Sequence, residues 1–303
     1  NGNLLLIVNT KKCASDIFLK LKDFAKCYHL STNMCAKHRL DKINEIKQKL
    51  KDKEPIILVS TQLIEAGVDL DFNCVIRSRA GLESIIQSAG RCNREGKLRD
   101  KGGNPKKGEV YVVQLDPELE NLTYLADISI RREKFGEIVN DGDLMSERVI
   151  KQYFMRLYGR ENLGVLKYPL RMQGNLNAFD CLCDCLKPQG NDTSCSVSLA
   201  HKRFCFGGLQ FGTVANDFYI IKNDTVGMLV PYGKGREYIE RLKRGEPCFD
   251  KEMQRYMVNV YKDKLPLNLQ CQYGILYYAG AYDEDLGFTK EIVSKDFDGG
   301  IFN

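Results

Sequence analysis

Short apolar runs alternate with segments of helical periodicity from residue 1 to about residue 115. Leu4–Val8 is a continuous apolar run typical of a buried strand, and the cap-type residue Thr10 precedes apolar positions at helical spacing from Cys13 to Phe24. The alternation continues with predicted strands at Tyr28–Ser31, Ile56–Val59, Cys74–Ile76 and Val110–Val113, and predicted helices at Leu40–Leu50 and Leu82–Asn93. This order is typical of a parallel sheet covered by helices on both faces, so we predict an α/β lobe over residues 1–116.

The pattern changes after Leu115 and predicts two further parts of the chain. Residues 117–160 have helical periodicity, which is clearest after the cap-type residue Ser146. Residues 161–213 are rich in Gly, Asn and Cys, so a helical connector and an irregular linker together fill residues 117–213. Residues 214–303 predict a small α+β domain, with a hairpin of Phe218–Lys222 and Val226–Val230, a basic helix at Arg236–Arg244, and strands near Arg255–Tyr261 and Gly274–Tyr278.

Composition and charge narrow the class of protein. The 303 residues are 43% hydrophobic and 28% charged, and no apolar run approaches the roughly 18 residues of a membrane span, so no membrane partner is expected. The formal net charge of +5 is compatible with a nucleic-acid partner if the surplus is clustered. The chain opens at Asn1 directly on a strand pattern, so we expect a piece of a longer protein that carries no targeting segment.

The cysteines indicate a reducing compartment, which we take to be the cytoplasm. There are 12 of them in a chain without a secretory signal, where cysteine acts as a small buried hydrophobe. The densest cluster comprises Cys181, Cys183 and Cys185, with Cys195 and Cys205 downstream. Zinc sites favour CxxC spacing, whereas CxC alternation places neighbouring side chains on the same side of a strand. We therefore predict no metal site.

The segment Gln87–Arg94, QSAGRCNR, is the stronger of two candidate chemical motifs. On a continuous helix, Gln87, Arg91 and Arg94 would project from one face. Two crowded guanidiniums repel each other unless an anion lies between them, and a polyphosphate fits their planar, bidentate geometry. The pattern predicts a nucleotide-phosphate site in preference to a solvated basic helix face.

The second motif, ILVSTQLIEAGVD at Ile57–Asp69, is a buried strand that runs into hydroxyls and then into Gly and Asp. Ligands of open α/β sheets collect at the carboxyl ends of the strands, where Ser60 and Thr61 would lie. Their hydroxyls suit a phosphodiester, Gly67 permits close backbone approach, and Asp69 can accept a hydrogen bond from a ribose hydroxyl. By itself this segment is equally compatible with a cap and a turn.

The two motifs together resemble motifs V and VI of superfamily 2 helicases. With IVNT at Ile7–Thr10 and LSTNMCAKHR at Leu30–Arg39, the sequence looks like the CRISPR-associated helicase-nuclease of type I systems. QFGTVANDFYII at Gln210–Ile221, VPYG at Val230–Gly233 and MQRYMVNVY at Met253–Tyr261 resemble the C-terminal domain of that family. The resemblance covers most of the chain and is poor over residues 161–205.

The family resemblance implies a motor of two RecA-like lobes, with ATP and Mg²⁺ in the cleft between them and single-stranded DNA running across both. It implies that Arg91 and Arg94 reach the γ-phosphate, that Gln87 links nucleotide to DNA, and that Gly67 and Asp69 touch the nucleotide. The DNA backbone would be contacted by Ser60 and Thr61, with Asn9, Thr10, Thr32, His38 and Arg39 as further candidates. For His38, a role at a helix start or in the core remains an equal alternative.

Several features of a complete family member are absent from this sequence. There is no GxxxxGK[ST] loop to cradle the β-phosphate and Mg²⁺, so the first lobe is missing. We interpret the acidic run Asp283–Asp285 as a surface turn and Gly233–Arg236 as the turn into the basic helix. The family nuclease needs a cluster of His and Asp on metal, but the only histidines are His29, His38 and His201, so we expect neither ATPase nor nuclease activity from this chain alone.

The sequence therefore predicts the C-terminal half of a type I CRISPR helicase-nuclease, an ATP-dependent DNA helicase of which this chain is one part. The expected partners are single-stranded DNA, the N-terminal nuclease and first lobe of the same protein, the CRISPR surveillance complex and an inhibitor protein. Two alternatives stay open. The chain could be the second lobe of another superfamily 2 helicase acting on DNA or RNA, or a non-enzymatic module that docks onto a surveillance complex.

Overall fold

The computed structural model describes residues 2–140, 142–159, 215, 225–266 and 268–289. They form two compact units, Asn1–Met145 with Asp224–Asn303, and Ser146–Asn223. Several predictions lie outside the described residues: the linker at 161–213, the hairpin strand at 218–222, the cysteines from Cys181 to Cys205, and His201.

A parallel sheet of five strands forms the first part of the chain. The strands are β1 Leu4–Ile7, β2 Cys27–Leu30, β3 Ile57–Ser60, β4 Cys74–Ser78 and β5 Glu109–Val113, in the order β2-β3-β1-β4-β5. All four pairings are parallel. Helices α1 Lys11–Leu21, α2 Ala36–Lys51 and α3 Leu82–Ala89 connect them, which confirms the predicted α/β lobe.

The core of this lobe lies along the central strands. Leu5 and Ile7 of β1 and Leu58 and Val59 of β3 are fully buried, as expected where helices cover both faces of a parallel sheet. The edge strand β5 instead exposes part of its apolar surface. Thr10 caps α1 as predicted, because its hydroxyl accepts a hydrogen bond of 3.2 Å from the backbone N–H of Cys13.

Helix α3 is shorter than predicted. It ends at Ala89, and Gly90 is its C-cap. The chain then turns back onto the sheet edge, where the N–H of Phe72 donates to the Arg91 carbonyl at 2.9 Å and the N–H of Asn93 donates to the Phe72 carbonyl at 2.8 Å. These backbone hydrogen bonds replace the helical ones. The prediction that the two arginines share a helix face with Gln87 is therefore wrong.

A mixed sheet of four strands forms the last part of the chain. Its strands are β6 Thr225–Leu229, β7 Met257–Tyr261, β8 Leu269–Gln272 and β9 Ile275–Tyr278, in the order β7-β6-β9-β8. The basic helix α6, Gly235–Lys243, packs Ile239 and Leu242 against this sheet. The strand predicted from Arg255 begins only at Met257, because Lys251–Tyr256 is a 3-10 helix. β8 was not predicted, whereas the α/β class with a second, smaller sheet is confirmed.

The predicted helical connector contains two described helices, α4 at Ala126–Gly136 and α5 at Glu147–Tyr158. Residues 117–125 form turns instead of the predicted helix. Ser146 caps α5 as predicted, because its hydroxyl accepts from the backbone N–H of Val149 at 3.4 Å. None of the described helices combines the length and apolar character needed to cross a bilayer.

Candidate nucleotide and DNA site

The two candidate motifs contact each other directly. Nε of Arg91 donates to the carbonyl of Ile64 at 2.9 Å, and its Nη2 donates to the carbonyl of Glu65 at 2.8 Å. Three residues further on, Nη1 of Arg94 donates to Oδ1 of Asp69 at 2.8 Å. Each arginine therefore binds a different part of the strand–turn segment that follows β3.

Arg94 is the more accessible of the two arginines. Its side chain is 50% exposed and that of Asp69 is 73% exposed. An ion pair this exposed contributes little stability, so the guanidinium can exchange the carboxylate for another anion at small cost. Its backbone is held independently, since the Arg94 N–H donates to Oδ1 of Asp71 at 2.8 Å. The loop is anchored by its backbone, while the guanidinium is held by an exposed ion pair.

Gly67 and Gln87 are both exposed. Gly67 has a φ of +72°, a backbone conformation that favours glycine, and a Cβ built there would meet no atom within 4 Å. The backbone next to Gly67 is consequently open to close approach by a ligand. Gln87 lies in the last turn of α3 and is placed by the helix alone.

Ser60 and Thr61 lie at the carboxyl end of β3 as predicted, but their hydroxyls differ. The Ser60 hydroxyl is fully buried and lies 3.0 Å from two carbonyl oxygens, those of Leu30 and Thr61. Thr61 is 8% exposed, and its hydroxyl makes no hydrogen bond with any described residue. Of the two, only Thr61 has a hydroxyl available to an external group in this conformation.

Asn9 and Thr10 already have partners within the lobe. The backbone N–H of Asn9 donates to Oε1 of Glu120 at 2.6 Å, and its Nδ2 donates to Oε2 of the same residue at 3.0 Å. The Ser78 hydroxyl also donates to Glu120, at 2.5 Å. Thr10 caps α1 through its hydroxyl. A DNA backbone contact by the Asn9 side chain would compete with the Glu120 carboxylate.

The other DNA candidates surround the start of α2. Thr32 is exposed, and the guanidinium of Arg39 donates to the Met34 carbonyl at 3.0 Å. His38 is fully buried, with its ring stacked on Tyr232 at 4.3 Å between centroids. Its Nδ1 lies 2.9 Å from the Tyr282 hydroxyl. This geometry favours the core role that the sequence left open for His38.

Sequence reasoning missed three buried charged residues at the same edge of the sheet. Arg77 in β4 is fully buried, Glu65 is nearly so, and Nε of Arg77 lies 3.0 Å from Oε1 of Glu65. Glu120 is also buried, against Asn9 and Ser78. Burial raises the pKa of the Glu65 carboxyl, and the Arg77 guanidinium opposes part of that rise. The available signal was a charged residue inside the apolar strand CVIRS.

The acidic run Asp283–Asp285 forms a turn, as predicted. Oδ1 of Asp283 accepts hydrogen bonds from the backbone N–H groups of Asp285 at 2.7 Å and Leu286 at 2.8 Å. Gly233–Arg236 is the turn into α6, and Lys234 pairs with Glu252 at 3.1 Å. Within the part of the chain that the structure describes, no group of His, Cys, Asp and Glu side chains could hold a metal ion.

Comparison with known proteins gives matches to the first part of the chain. Residues 1–97 match a family model described as CRISPR-associated nuclease/helicase Cas3, C-terminal. The resemblance to Cas3 is confirmed. A Cas3 of Methanothermobacter thermautotrophicus is 31% identical over 103 residues, which is 34% of this chain and 12% of that protein. A Cas3 of Haloferax volcanii is 48% identical over 79 residues, 25% of this chain and 8% of that protein.

Solved structures extend the likeness in fold beyond residue 97. The crystal structure of T. fusca Cas3 aligns with a TM-score of 0.54 over 91% of this chain and 36% of that chain, at 13% identity. The T. fusca Cas3-ATP structure gives the same TM-score at 14% identity. At such identities the likeness concerns the fold alone. The chain spans about a tenth of the length of the two curated relatives above and about a third of the T. fusca chain.

Proposed function

We propose that this chain is the C-terminal half of an ATP-dependent single-stranded DNA translocase of the Cas3 type. Residues 1–116 would be the second RecA-like lobe, residues 117–213 the helical connector and linker, and residues 214–303 the small C-terminal domain. The observation that carries this proposal is the direct contact between the segment after β3 and the segment after α3, with Arg94 exposed beside it. Such a pair of motifs suits a surface that closes over a nucleotide held by another lobe.

The proposal assigns different tasks to the two arginines. Arg94 would leave Asp69 and stabilise the charge that develops on the γ-phosphate, because its side chain is exposed and weakly paired. Arg91 would stabilise the same transferred phosphoryl group while its guanidinium keeps its hydrogen bonds to the carbonyls of Ile64 and Glu65. Gly67 and Asp69 would lie against the nucleotide, and Gln87 would connect the nucleotide with DNA.

On the DNA side, Thr61 is the best placed of the candidates, because its hydroxyl is without a partner among the described residues. The same carboxyl edge of the sheet would be supported by Ser60, Asn9 and Thr10, whose side chains bind other residues of the lobe. Thr32 and Arg39 would extend the path along the start of α2. Hydroxyl and backbone N–H groups at such an edge suit a phosphodiester and give no base specificity.

The cofactor of the complete motor would be ATP with Mg²⁺. An exposed guanidinium and an open glycine backbone fit the outer side of a triphosphate, whereas no described group of acidic residues fits the metal. The first lobe would therefore hold the metal and most of the nucleotide. When bound, the nucleotide supplies the phosphoryl group whose transfer to water drives translocation.

The partners we propose are those that the sequence predicts, and relatives named CRISPR-associated support a CRISPR partner among them. They are single-stranded DNA, the first lobe and nuclease domain of the same protein, the CRISPR surveillance complex, and an inhibitor protein that blocks it. A reducing cytoplasm suits the seven described cysteines, all of which are free.

The test is ATP hydrolysis by the complete motor carrying Arg94→Ala or Arg91→Ala. We expect each substitution to lower DNA-stimulated turnover by about 10³-fold or more, as for other arginine fingers. Arg94→Ala should leave the melting temperature unchanged, because the ion pair that it removes is exposed. Arg91→Ala should lower the melting temperature, because it removes two partly buried hydrogen bonds. Arg99→Ala is the matched control, since the guanidinium of this exposed arginine, among the described residues, donates to carbonyls of its own loop alone.

Unchanged turnover in both arginine variants would contradict the proposal. It would return the Gln87–Arg94 segment to a solvated basic surface and would favour the docking module. Loss of turnover in Arg99→Ala as well would show that loss of positive charge alone accounts for the effect, and would equally contradict the assignment.

A further inference from the structure

Arg77 is a fully buried cation in the middle of the parallel sheet. Besides its ion pair of 3.0 Å with Glu65, its Nη1 donates to the carbonyl of Ser78 at 2.9 Å and lies 3.5 Å from that of Ile7. Its Nη2 is buried without a hydrogen-bond partner among the described residues. The guanidinium therefore contacts β1, β4 and the segment after β3. Some of its N–H donors nevertheless have no hydrogen-bond partner among the described residues.

Stability does not account for this arrangement. Burying two opposite charges costs more desolvation than their attraction returns unless every donor and acceptor is satisfied, and well-packed apolar residues of similar volume are often as stable. Here two nitrogen atoms of Arg77, Nε and Nη2, make no hydrogen bond with the described residues, although Nε lies within ion-pair distance of Glu65. Burial lowers the pKa of the Arg77 guanidinium and raises that of the Glu65 carboxyl. Both shifts arise because burial removes water from the charged forms of the two groups. The buried pair is therefore weak evidence for a stabilising role.

The position of Glu65 indicates a different role. It lies between Thr61, the proposed DNA contact, and Gly67, the proposed nucleotide contact. Its carboxylate oxygen Oε1 lies 3.2 Å from the Ser88 hydroxyl on α3, which also contacts the Ser84 carbonyl at 2.7 Å, and the Glu65 carbonyl accepts from Arg91 at 2.8 Å. The side chain and the backbone of Glu65 thus each bind the segment that carries the proposed arginine fingers.

Resting on the proposed function, we infer that Arg77 is a positioning residue that couples DNA binding to ATP hydrolysis. By fixing Glu65 from inside the sheet, Arg77 holds the Thr61–Gly67 segment against α3 and Arg91. A shift of Thr61 on binding DNA is then transmitted through the buried Glu65 to Arg91 and Gly67, the proposed nucleotide contacts. Without this connection the two sites would still form, but each would respond to its own ligand alone.

The experiment replaces the buried pair by apolar residues of similar volume, Arg77→Met with Glu65→Leu, in the complete motor. Each single change would leave an unpaired buried charge, whereas the double change removes both charges and should keep the fold. We expect basal ATP turnover without DNA to stay within about twofold of wild type, and stimulation by single-stranded DNA to fall about tenfold or more. Ile46→Val, a core change in α2 that removes no charge, is the control for destabilisation alone and should keep full stimulation.

Arg77→Lys is the second variant, which keeps the positive charge but cannot pair with Glu65 and hold the strand carbonyls at the same time. It should fold and lose part of the stimulation. If wild type is stimulated by DNA and both variants are stimulated equally, the inference is overturned and the proposed function stands. If wild type itself shows no DNA-stimulated hydrolysis, the proposed function fails and this inference fails with it.

Discussion

At the scale of single residues, the two described histidines are fixed in definite neutral forms. Nδ1 of His29 lies 3.2 Å from the carbonyl of Asp285, and Nε2 of His38 lies 3.0 Å from that of Glu284. A carbonyl only accepts, so each of these ring nitrogens carries the proton. Nδ1 of His38 then accepts from the Tyr282 hydroxyl at 2.9 Å. Both rings thereby hold the same turn of the C-terminal segment.

This geometry predicts that the fold loses stability in mild acid. Burial lowers the pKa of His29 to about 4, and burial also lowers that of His38. A group whose pKa is depressed in the folded state stabilises the fold above its unfolded pKa, and that contribution is lost as the pH falls towards the folded value. As the pH falls from 6.5 to 4, the protonation of His29 alone should lower the unfolding free energy by about 3 kcal/mol. Urea unfolding across this range measures it.

His29→Asn is the comparison for this prediction, because asparagine does not titrate there. Glu284, Asp285 and Lys42 lie near the two histidine rings in both proteins, so their electrostatic contributions cancel in the difference. The variant should be less stable at pH 7 but should lose less stability on acidification. Parallel pH curves for the two proteins would contradict the assigned protonation states.

At the scale of elements, apolar periodicity predicted the central strands well because it reports burial directly. β1, β3 and β4 are buried on both faces, and each was found within one or two residues of its bounds. The end of α3 was missed because hydrogen bonds to Phe72, distant in sequence, compete with helical ones after Gly90. β8 was missed because LQCQ is half exposed and has little apolar character.

The contact between the C-terminal turn and the loop before α2 gives an element-scale prediction. Gly287 has a φ of +79°, and a Cβ there would lie 2.5 Å from the Asn33 carbonyl oxygen and 2.9 Å from the Met34 nitrogen. Backbone atoms cannot move aside as a flexible side chain can. Gly287→Ala should therefore lower the unfolding free energy by about 2–4 kcal/mol, as strain and overpacking add.

The control for the glycine prediction is Gly274→Ala in the β8–β9 turn. Gly274 has nearly the same φ, +78°, but a Cβ there would meet nothing within 4 Å. Only the conformational cost remains, about 1 kcal/mol. Chemical denaturation of both variants separates the two contributions. Equal losses in the two variants would mean that the turn does not pack against Asn33 as described.

At the scale of the whole molecule, the sequence predicted which motifs would meet but not what lies behind them. The family resemblance implied that the segments after β3 and α3 act on one nucleotide, and in the structure Arg91 bridges the two segments. The sequence signals Arg77 as a charge inside the apolar strand CVIRS, but it does not identify the partner, because Glu65 lies in a separate segment of the chain. Arg77 and Glu65 form an ion pair only because the fold brings their two segments together.

The last prediction concerns this chain as half of a motor. Alone, it should bind single-stranded DNA weakly and hydrolyse no ATP, because its sequence lacks a phosphate-binding loop. Mixed with the first lobe of its own protein, it should restore hydrolysis that depends on DNA, while the same chain carrying Arg94→Ala should bind that lobe without restoring turnover. The readouts are phosphate release with and without DNA, and co-sedimentation of the two parts. Turnover by this chain alone would contradict the half-motor interpretation. Association without any restored turnover would instead favour the docking module, since a partner would then be bound for reasons other than closing a nucleotide site.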